Sequence, residues 1–218
     1  MAKLYLSLIF FLLALPGKAL AGYAATGQVC ELSPDPNRPE ILATCSVEIT
    51  DNDAKIQLIG QRPNKVGEIW FLYADETRPR QVLKLTSTPL IDPETVAIMF
   101  VDFNFDGHKD FAIMASIQTS ENVRYLFFLY DPQTGKFTAS PAMNPIVNPE
   151  VITSENYIQS YWRQTPIRSG WNMWKWQDGK PFIATRIEQT ITGQSLCRQT
   201  TTRFANGKII NLVTAACR

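Results

Sequence analysis

The chain has 218 residues, of which 45% are hydrophobic and 19% are charged, with 21 basic and 20 acidic residues. This apolar content is too high for a disordered chain, and the length suits a single globular domain. The near balance of charge gives the chain no field of one sign, which argues against a nucleic-acid-binding protein.

The N-terminus has the pattern of a secretory signal peptide. Lys3 forms a short basic region, Leu4 to Leu15 is an apolar stretch of twelve residues, and Ala19-Leu20-Ala21 is a small-residue cleavage site. Twelve apolar residues are too few to span a bilayer, which takes about 20. We therefore expect residues 1–21 to be a cleaved signal peptide and residues 22–218 to form one domain that lies outside the cytoplasm and is not inserted in the membrane.

Four cysteines remain in the mature chain, and four cysteines allow three disulfide pairings. Cys30 and Cys45 lie symmetrically about Asn37-Arg38. Cys197 and Cys217 flank the Asn206-Gly207 turn, one position short of a symmetric register, which a β-bulge would absorb. We predict the two local disulfides, Cys30–Cys45 and Cys197–Cys217. A zinc site is not expected, because the chain has one His and no Cys-x-x-Cys pair.

Most of the mature sequence consists of short runs rich in β-branched and aromatic residues, separated by Pro, Gly, Asn and Asp. These features predict an all-β antiparallel meander, which can form a barrel, a sandwich or a β-propeller-like fold. The run 181–191 also has helical spacing, but its threonines and the leading Pro181 favour a strand. Gly135, Gly179 and Gly207 recur before Lys at hairpin turns, where a positive φ is needed. The predicted strands are 40–49, 55–60, 68–74, 95–101, 111–116, 124–130, 171–176, 181–191 and 208–213.

The strongest chemical motif is the nine-residue segment 102–110, DFNFDGHKD. Its oxygen-bearing side chains are Asp102, Asn104 and Asp106 at positions 1, 3 and 5, and Asp110 at position 9. Gly at position 6 permits the sharp bend, and His108 at position 7 offers its main-chain carbonyl. Oxygen ligands at this spacing are typical of a Ca²⁺ loop, so the segment predicts a calcium site.

This loop differs from an EF-hand because position 12 is Ile113 rather than a bidentate Glu, and because its flanks resemble strands. We therefore expect a strand–loop–strand calcium site with structural rather than sensor function. Its affinity should be on the order of 10⁻⁴ to 10⁻³ M or somewhat tighter. The alternative is a solvated acidic turn.

His108 is the only histidine, and its side chain is expected to point to solvent, so no Ser-His-Asp or Cys-His arrangement is predicted. We expect a protein that is not an enzyme. Glycoside hydrolysis by two carboxylates stays open, since it needs no histidine.

The aromatic residues offer two further interpretations. Trp174 and Trp176 alternate on one predicted strand face, which favours a core position over a sugar-stacking platform. Arg163, Arg168 and Trp171 belong to a polar segment, 163–170 and its flank, and would be natural anchors for a protein partner if that segment projects as a loop.

Four segments together resemble a family of periplasmic proteins from Gram-negative bacteria: VDFNFDGHKDFAIMAS, YLFFLYDPQTGKF, IQSYWR and WKWQDGKPF. The family includes calcium-binding, propeller-like immunity proteins that block peptidoglycan-degrading effectors, similar in shape to inhibitors of invertebrate-type lysozyme. The resemblance covers about residues 95–190. It implies Ca²⁺ as cofactor and an inhibitory loop that enters the cleft of a lysozyme- or chitinase-like hydrolase. The calcium-stabilised carbohydrate-binding or adhesion module remains the alternative.

Overall fold

The structure is a computed structural model and describes residues 30–32, 37–49, 52–61, 65–73, 79–85, 98–118, 120–193 and 196–217. The predicted signal peptide at 1–21 lies outside the described residues. Fifteen β-strands and one short 3₁₀ turn, Pro141–Met143, make up the regular structure of the part described. The strands are β1 Cys30–Leu32, β2 Ile41–Ile49, β3 Asn52–Gln61, β4 Lys65–Tyr73, β5 Gln81–Lys84, β6 Ile98–Val101, β7 Asp110–Ile117, β8 Val123–Asp131, β9 Lys136–Ala139, β10 Pro149–Ile152, β11 Tyr157–Thr165, β12 Arg168–Gln177, β13 Lys180–Thr192, β14 Leu196–Ala205 and β15 Lys208–Ala216.

The strands form three antiparallel sheets, each with its strands in chain order. The N-terminal sheet contains β1 to β5, the middle sheet β6 to β9, and the C-terminal sheet β10 to β15. Each sheet is a meander of hairpins, so the prediction of an all-β antiparallel meander is confirmed. The propeller-like arrangement of these sheets stays a prediction.

Strands β6 to β8 of the middle sheet pack on both faces and set the order of the layers. Along β7, Phe111 and Ile113 point to one face and join a core cluster with the N-terminal sheet. Ala112 points to the opposite face and joins a second cluster, where Ile158 and Trp174 of the C-terminal sheet pack. Since successive strand residues face opposite sides, β7 contributes to two cores, and the sheets stack in the order N-terminal, middle, C-terminal.

The hairpin turns have the backbone conformation that the sequence predicts. Gly135, Gly179 and Gly207 have φ angles of 65°, 71° and 71°, a region that residues with a Cβ rarely adopt. Asn206, beside Gly207, also has a positive φ of 50°, as a tight β-hairpin turn of mirror type requires.

The disulfide predicted at the C-terminus is confirmed. Cys197 and Cys217 are bonded to each other, 20 positions apart. The pairing of β14 with β15 shifts register between Arg203 and Phe204, which is the bulge that this pairing needs. In the N-terminal sheet, Cys30 lies directly opposite Cys45 in the strand register, and Cys45 is disulfide-bonded.

Candidate metal centre and partner surface

The predicted calcium loop joins β6 to β7, at one end of the middle sheet. Two of its residues turn the chain with a positive φ, Phe105 at 61° and Gly107 at 90°. Phe103 is fully buried in the second core cluster, which fixes the loop to the body of the protein. Its carbonyl also accepts a hydrogen bond from Trp176 Nε1 at 2.8 Å, so the loop is tied to β12 of the C-terminal sheet. The strand–loop–strand setting agrees with the expectation.

The side chains at positions 1, 3 and 5 turn inward and hold the loop's own amides. Asp102 accepts hydrogen bonds from the main-chain N–H groups of Asp106 at 3.1 Å and Gly107 at 2.8 Å. Asp106 accepts one from the N–H of His108 at 2.9 Å and one from Asn104 Nδ2 at 2.8 Å. Asn104 Oδ1 also accepts a hydrogen bond from the N–H of Asp106 at 3.1 Å, so two carboxylates and one amide oxygen lie within one tight turn.

Asp110 occupies a different environment from the other two carboxylates. It is fully buried, and its two oxygens accept hydrogen bonds from the N–H groups of Phe103 and Tyr130, each at 2.8 Å. Burial raises the pKa of Asp110 to about 7, the two N–H donors oppose that rise, and the negative charges of Asp106 and Asp102 add to it. The Asp110 carboxyl therefore joins the base of the loop to β8.

The oxygen donors of the loop are of the types that a hard cation prefers, but its carboxylates alone do not form a metal-binding group. Among the described residues, no three His, Cys, Asp or Glu side chains are grouped closely enough to hold a metal by themselves. The loop adds the Asn104 amide oxygen and main-chain carbonyl oxygen, and each carboxylate oxygen that accepts an N–H bond keeps a second lone pair. Asp102, Asn104, Asp106, the His108 carbonyl and Asp110 would hold Ca²⁺, and the ion would offset the repulsion between the carboxylates. Calcium binding stays a prediction.

His108 differs from the expectation of a solvent-directed side chain. The residue is half-buried, and its ring lies 5.8 Å from the ring of Tyr130, measured between centroids. The neighbouring strand β8 passes close enough to the loop to give the imidazole an aromatic contact, a proximity that the loop sequence alone does not reveal.

The segment 163–170 is not a loop. It forms the tip of the β11–β12 hairpin, where only Pro166 and Ile167 lie outside the strands. Arg168 and Trp171 are three positions apart on β12, so alternation directs them to opposite faces of the sheet. Arg163 shares the face of Trp171, whose cross-strand partner is Tyr161. The three predicted anchors are therefore not brought together on one surface.

Both arginines already have acidic partners within the protein. Arg163 Nη1 lies 3.2 Å from Glu121 Oε2, and Arg168 makes a two-point contact with the Glu188 carboxylate at 3.0 and 2.9 Å. Hydrogen bonding to Glu188 raises the pKa of Arg168. Trp171 packs against Tyr161, with ring centroids 5.3 Å apart, and stays partly exposed.

Trp174 and Trp176 both belong to the second core cluster, as the preferred interpretation of their alternation predicts. Trp174 is buried, and its Nε1 donates a hydrogen bond to Ser160 Oγ at 2.9 Å. Trp176 is partly buried and contacts the calcium loop, as described above. Both indoles therefore pack in or against the core.

Two asparagines that the sequence did not single out join the middle sheet to β11. Asn148, buried with a φ of 45°, accepts a hydrogen bond from the N–H of Val123 at 2.9 Å and donates one to the Tyr161 carbonyl at 3.0 Å. Asn122 pairs with both main-chain groups of Arg163 at 2.9 Å. The local sequence offers one signal for Asn148: it is an Asn, a residue that tolerates positive φ, and it directly precedes Pro149.

The described residues contain no helix that could cross a membrane. The Cys197–Cys217 disulfide is consistent with an extracytoplasmic protein, since such bonds persist in oxidising compartments.

No protein-family model and no curated protein matches the chain. The fold is similar to that of a solved structure from Xanthomonas, described as a type IV secretion system related protein. The match has a TM-score of 0.60 and 12% sequence identity, and it covers 86% of this chain and 97% of that chain. At this identity the likeness shows a shared fold.

Proposed function

We propose that the protein is a periplasmic calcium-binding inhibitor or immunity protein directed against a peptidoglycan-degrading glycoside hydrolase, of lysozyme or chitinase type. The observation that carries this proposal is the fold shared with a Xanthomonas type IV secretion system related protein over nearly all of that chain. A bacterium that delivers cell-wall hydrolases to competitors needs a periplasmic protein that binds them, and the predicted signal peptide would place this chain there.

The chain's rigid features suit a protein that binds a cleft and does not turn over substrate. A middle sheet packed between two others, a C-terminal disulfide and a loop held by Trp176 reduce the conformational entropy that binding would cost. In this proposal Ca²⁺ stiffens the β6–β7 loop, and the protein has no catalytic residues of its own.

The surface that best fits a hydrolase cleft is the tip of the β11–β12 hairpin. Ile167 is 55% exposed there, and its carbonyl accepts a hydrogen bond from the N–H of Ile191 at 2.9 Å, so a neighbouring strand holds the tip in place. Arg168 lies beside it and is oriented by Glu188. A rigid apolar residue next to an oriented guanidinium is the kind of anchor that carries binding energy.

The test is lysis of peptidoglycan suspensions by a panel of lysozymes and chitinase-like muramidases, with the mature protein added in calcium or in EDTA. Protection at near-equimolar protein, weakened by EDTA, is the expected result. Ile167→Asp should abolish protection, whereas Ile209→Asp, at a residue 60% exposed on β15, should leave it unchanged.

Lysis that proceeds unchanged with every hydrolase of the panel would refute the inhibitor proposal. Release of reducing sugar by the pure protein, abolished by one Asp or Glu substitution outside 102–110, would instead identify a hydrolase.

A further inference from the structure

An open groove of about 460 Å³ lies on the C-terminal sheet beside the β12–β13 and β14–β15 turns. Three aromatic side chains line it, Trp174, Phe182 and Phe204, together with the polar groups of Gln177, Arg186 and Asn206. Its volume falls in the range of small-molecule sites, about 300–1,000 Å³, which typically combine apolar walls with a few polar groups. It involves neither the calcium loop nor the hairpin tip.

The aromatic part of the groove combines one buried and two partly exposed side chains. Trp174 is buried with its indole N–H fixed on Ser160, and Phe182 and Phe204 are partly exposed on adjoining strands. The partly exposed phenyl rings offer an apolar surface for another flat, apolar face. The C–H faces of a pyranose ring have this character, and the ring's hydroxyl edge then needs polar partners.

Gln177 and Asn206 provide such partners at the rim. Gln177 Nε2 donates a long hydrogen bond of 3.4 Å to Asn206 Oδ1, which aligns the two amides. The Gln177 carbonyl oxygen and the Asn206 amide N–H₂ remain for a ligand, so the rim has one acceptor and one donor. This pair matches the acceptor and donor of an acetamido group.

Arg186 sets the charge of the groove. Its Nε donates a hydrogen bond to Asn172 Oδ1 at 3.0 Å, which orients the guanidinium. Within the part of the chain that the structure describes, it has no carboxylate partner, unlike Arg163 and Arg168, which pair with Glu121 and Glu188. An oriented, unpaired guanidinium in a partly apolar groove favours a carboxylate, which it can bind through two N–H donors.

We propose that this groove binds an acidic amino sugar, an N-acetylated hexosamine that carries a carboxylate. The sugar ring packs against the partly exposed Phe182 and Phe204, the acetamido group meets Gln177 and Asn206, and the carboxylate pairs with Arg186. N-Acetylmuramic acid of peptidoglycan is a sugar with this chemistry. The site is separate from the proposed hydrolase contact, and its function does not depend on that contact.

The experiment is a titration of the mature protein, followed by tryptophan fluorescence and calorimetry, since Trp174 lines the groove. The ligands are the disaccharide of N-acetylglucosamine and N-acetylmuramic acid, the same disaccharide as its methyl ester, and chitobiose. We expect saturable binding of the free acid, with at least tenfold weaker binding of the ester and of chitobiose.

Arg186→Gln should weaken binding of the acid about tenfold or more, so that acid and ester bind alike. Arg203→Gln is the matched control, because Arg203 is exposed on the opposite face of the same sheet and has the same charge. It should bind as the wild type does. Unchanged thermal melting of both variants, and movement of the Trp174 indole signal in an NMR titration of the wild type, confirm that the effect is local.

Equal binding of acid and ester by the wild type, or undiminished binding by Arg186→Gln, would overturn the assignment of Arg186. Absence of saturable binding to any sugar would overturn the site. Binding of a short acidic peptide, without binding of any of the sugars, would overturn the sugar proposal and identify a peptide as the ligand of the groove. Inhibition of lysis is a separate readout, so either proposal can fail while the other stands.

Discussion

The carboxylates of the β6–β7 loop repel one another, and a bound cation should therefore stabilise the folded protein. At about 10 mM calcium and a dissociation constant on the order of 10⁻⁴ to 10⁻³ M, binding would add roughly 1.4 to 2.7 kcal/mol. Asp106→Ala should lower the melting temperature in calcium to the value seen in EDTA. Asp131→Ala, in a turn where that carboxylate only caps Gln133 and Thr134, should keep the full calcium response. Identical melting of wild type with and without EDTA would contradict the calcium site.

Gly170 on β12 lies where the neighbouring strands leave no room for a Cβ. A Cβ at this position would collide with the Ile187 carbonyl and would lie 2.8 Å from the ring of Trp162. Gly170→Ala should therefore destabilise the protein by about 1–3 kcal/mol, measured by chemical denaturation. Gly193→Ala is the control, because a Cβ there meets nothing within 4 Å, and its effect should stay within about 0.5 kcal/mol. Equal effects of the two substitutions would show that Gly170 is not limited by space.

Among the elements, β15 depends on its partner strand and on one covalent bond. All nine of its residues are exposed, so it lacks a buried face, and the Cys197–Cys217 disulfide secures its end. The disulfide joins residues 20 positions apart, and closing a loop of this length stabilises the folded state by about 3 kcal/mol. In the C197S/C217S double variant, we expect β14 and β15 to lose most of their amide protection in hydrogen exchange while β2 to β4 keep theirs. Protection of β15 equal to that of the wild type would contradict this dependence.

The sequence predicts those elements whose pattern is local. All nine predicted strands overlap observed ones, and the 102–110 turn is recognisable because its hydrogen bonds close within nine residues. Strand β11 was missed because Ser160 and Arg163 interrupt its apolar pattern. Their partners are Trp174 on β12 and Asn122 in the turn between β7 and β8. The groove around Arg186 depends on the register of three strands, which no short segment encodes.

At the scale of the whole molecule, the middle sheet supports both of its neighbours. Phe111 contributes to the core shared with the N-terminal sheet, and Phe127 to the core shared with the C-terminal sheet. Phe127 is 2% exposed and packs edge-on against Phe103, with ring centroids 5.1 Å apart. A side chain in this position links the second core directly to the calcium loop, so packing and loop conformation are coupled.

Phe127→Ala should cost about 3–5 kcal/mol, because it removes a large buried ring and leaves a cavity. If the three sheets unfold as one cooperative unit, the loss will appear equally in amide exchange of β2 to β4 and of β11 to β13, although Phe127 contacts only the second core. Phe111→Ala, which removes a ring from the core shared with the N-terminal sheet, should give the same uniform loss of amide protection. Loss confined to β11 to β13 in the first variant would instead show that the N-terminal sheet is a separate folding unit. The shared middle sheet argues against such independence, since β6, β7 and β8 would each have to keep one packed face while the other is exposed to water.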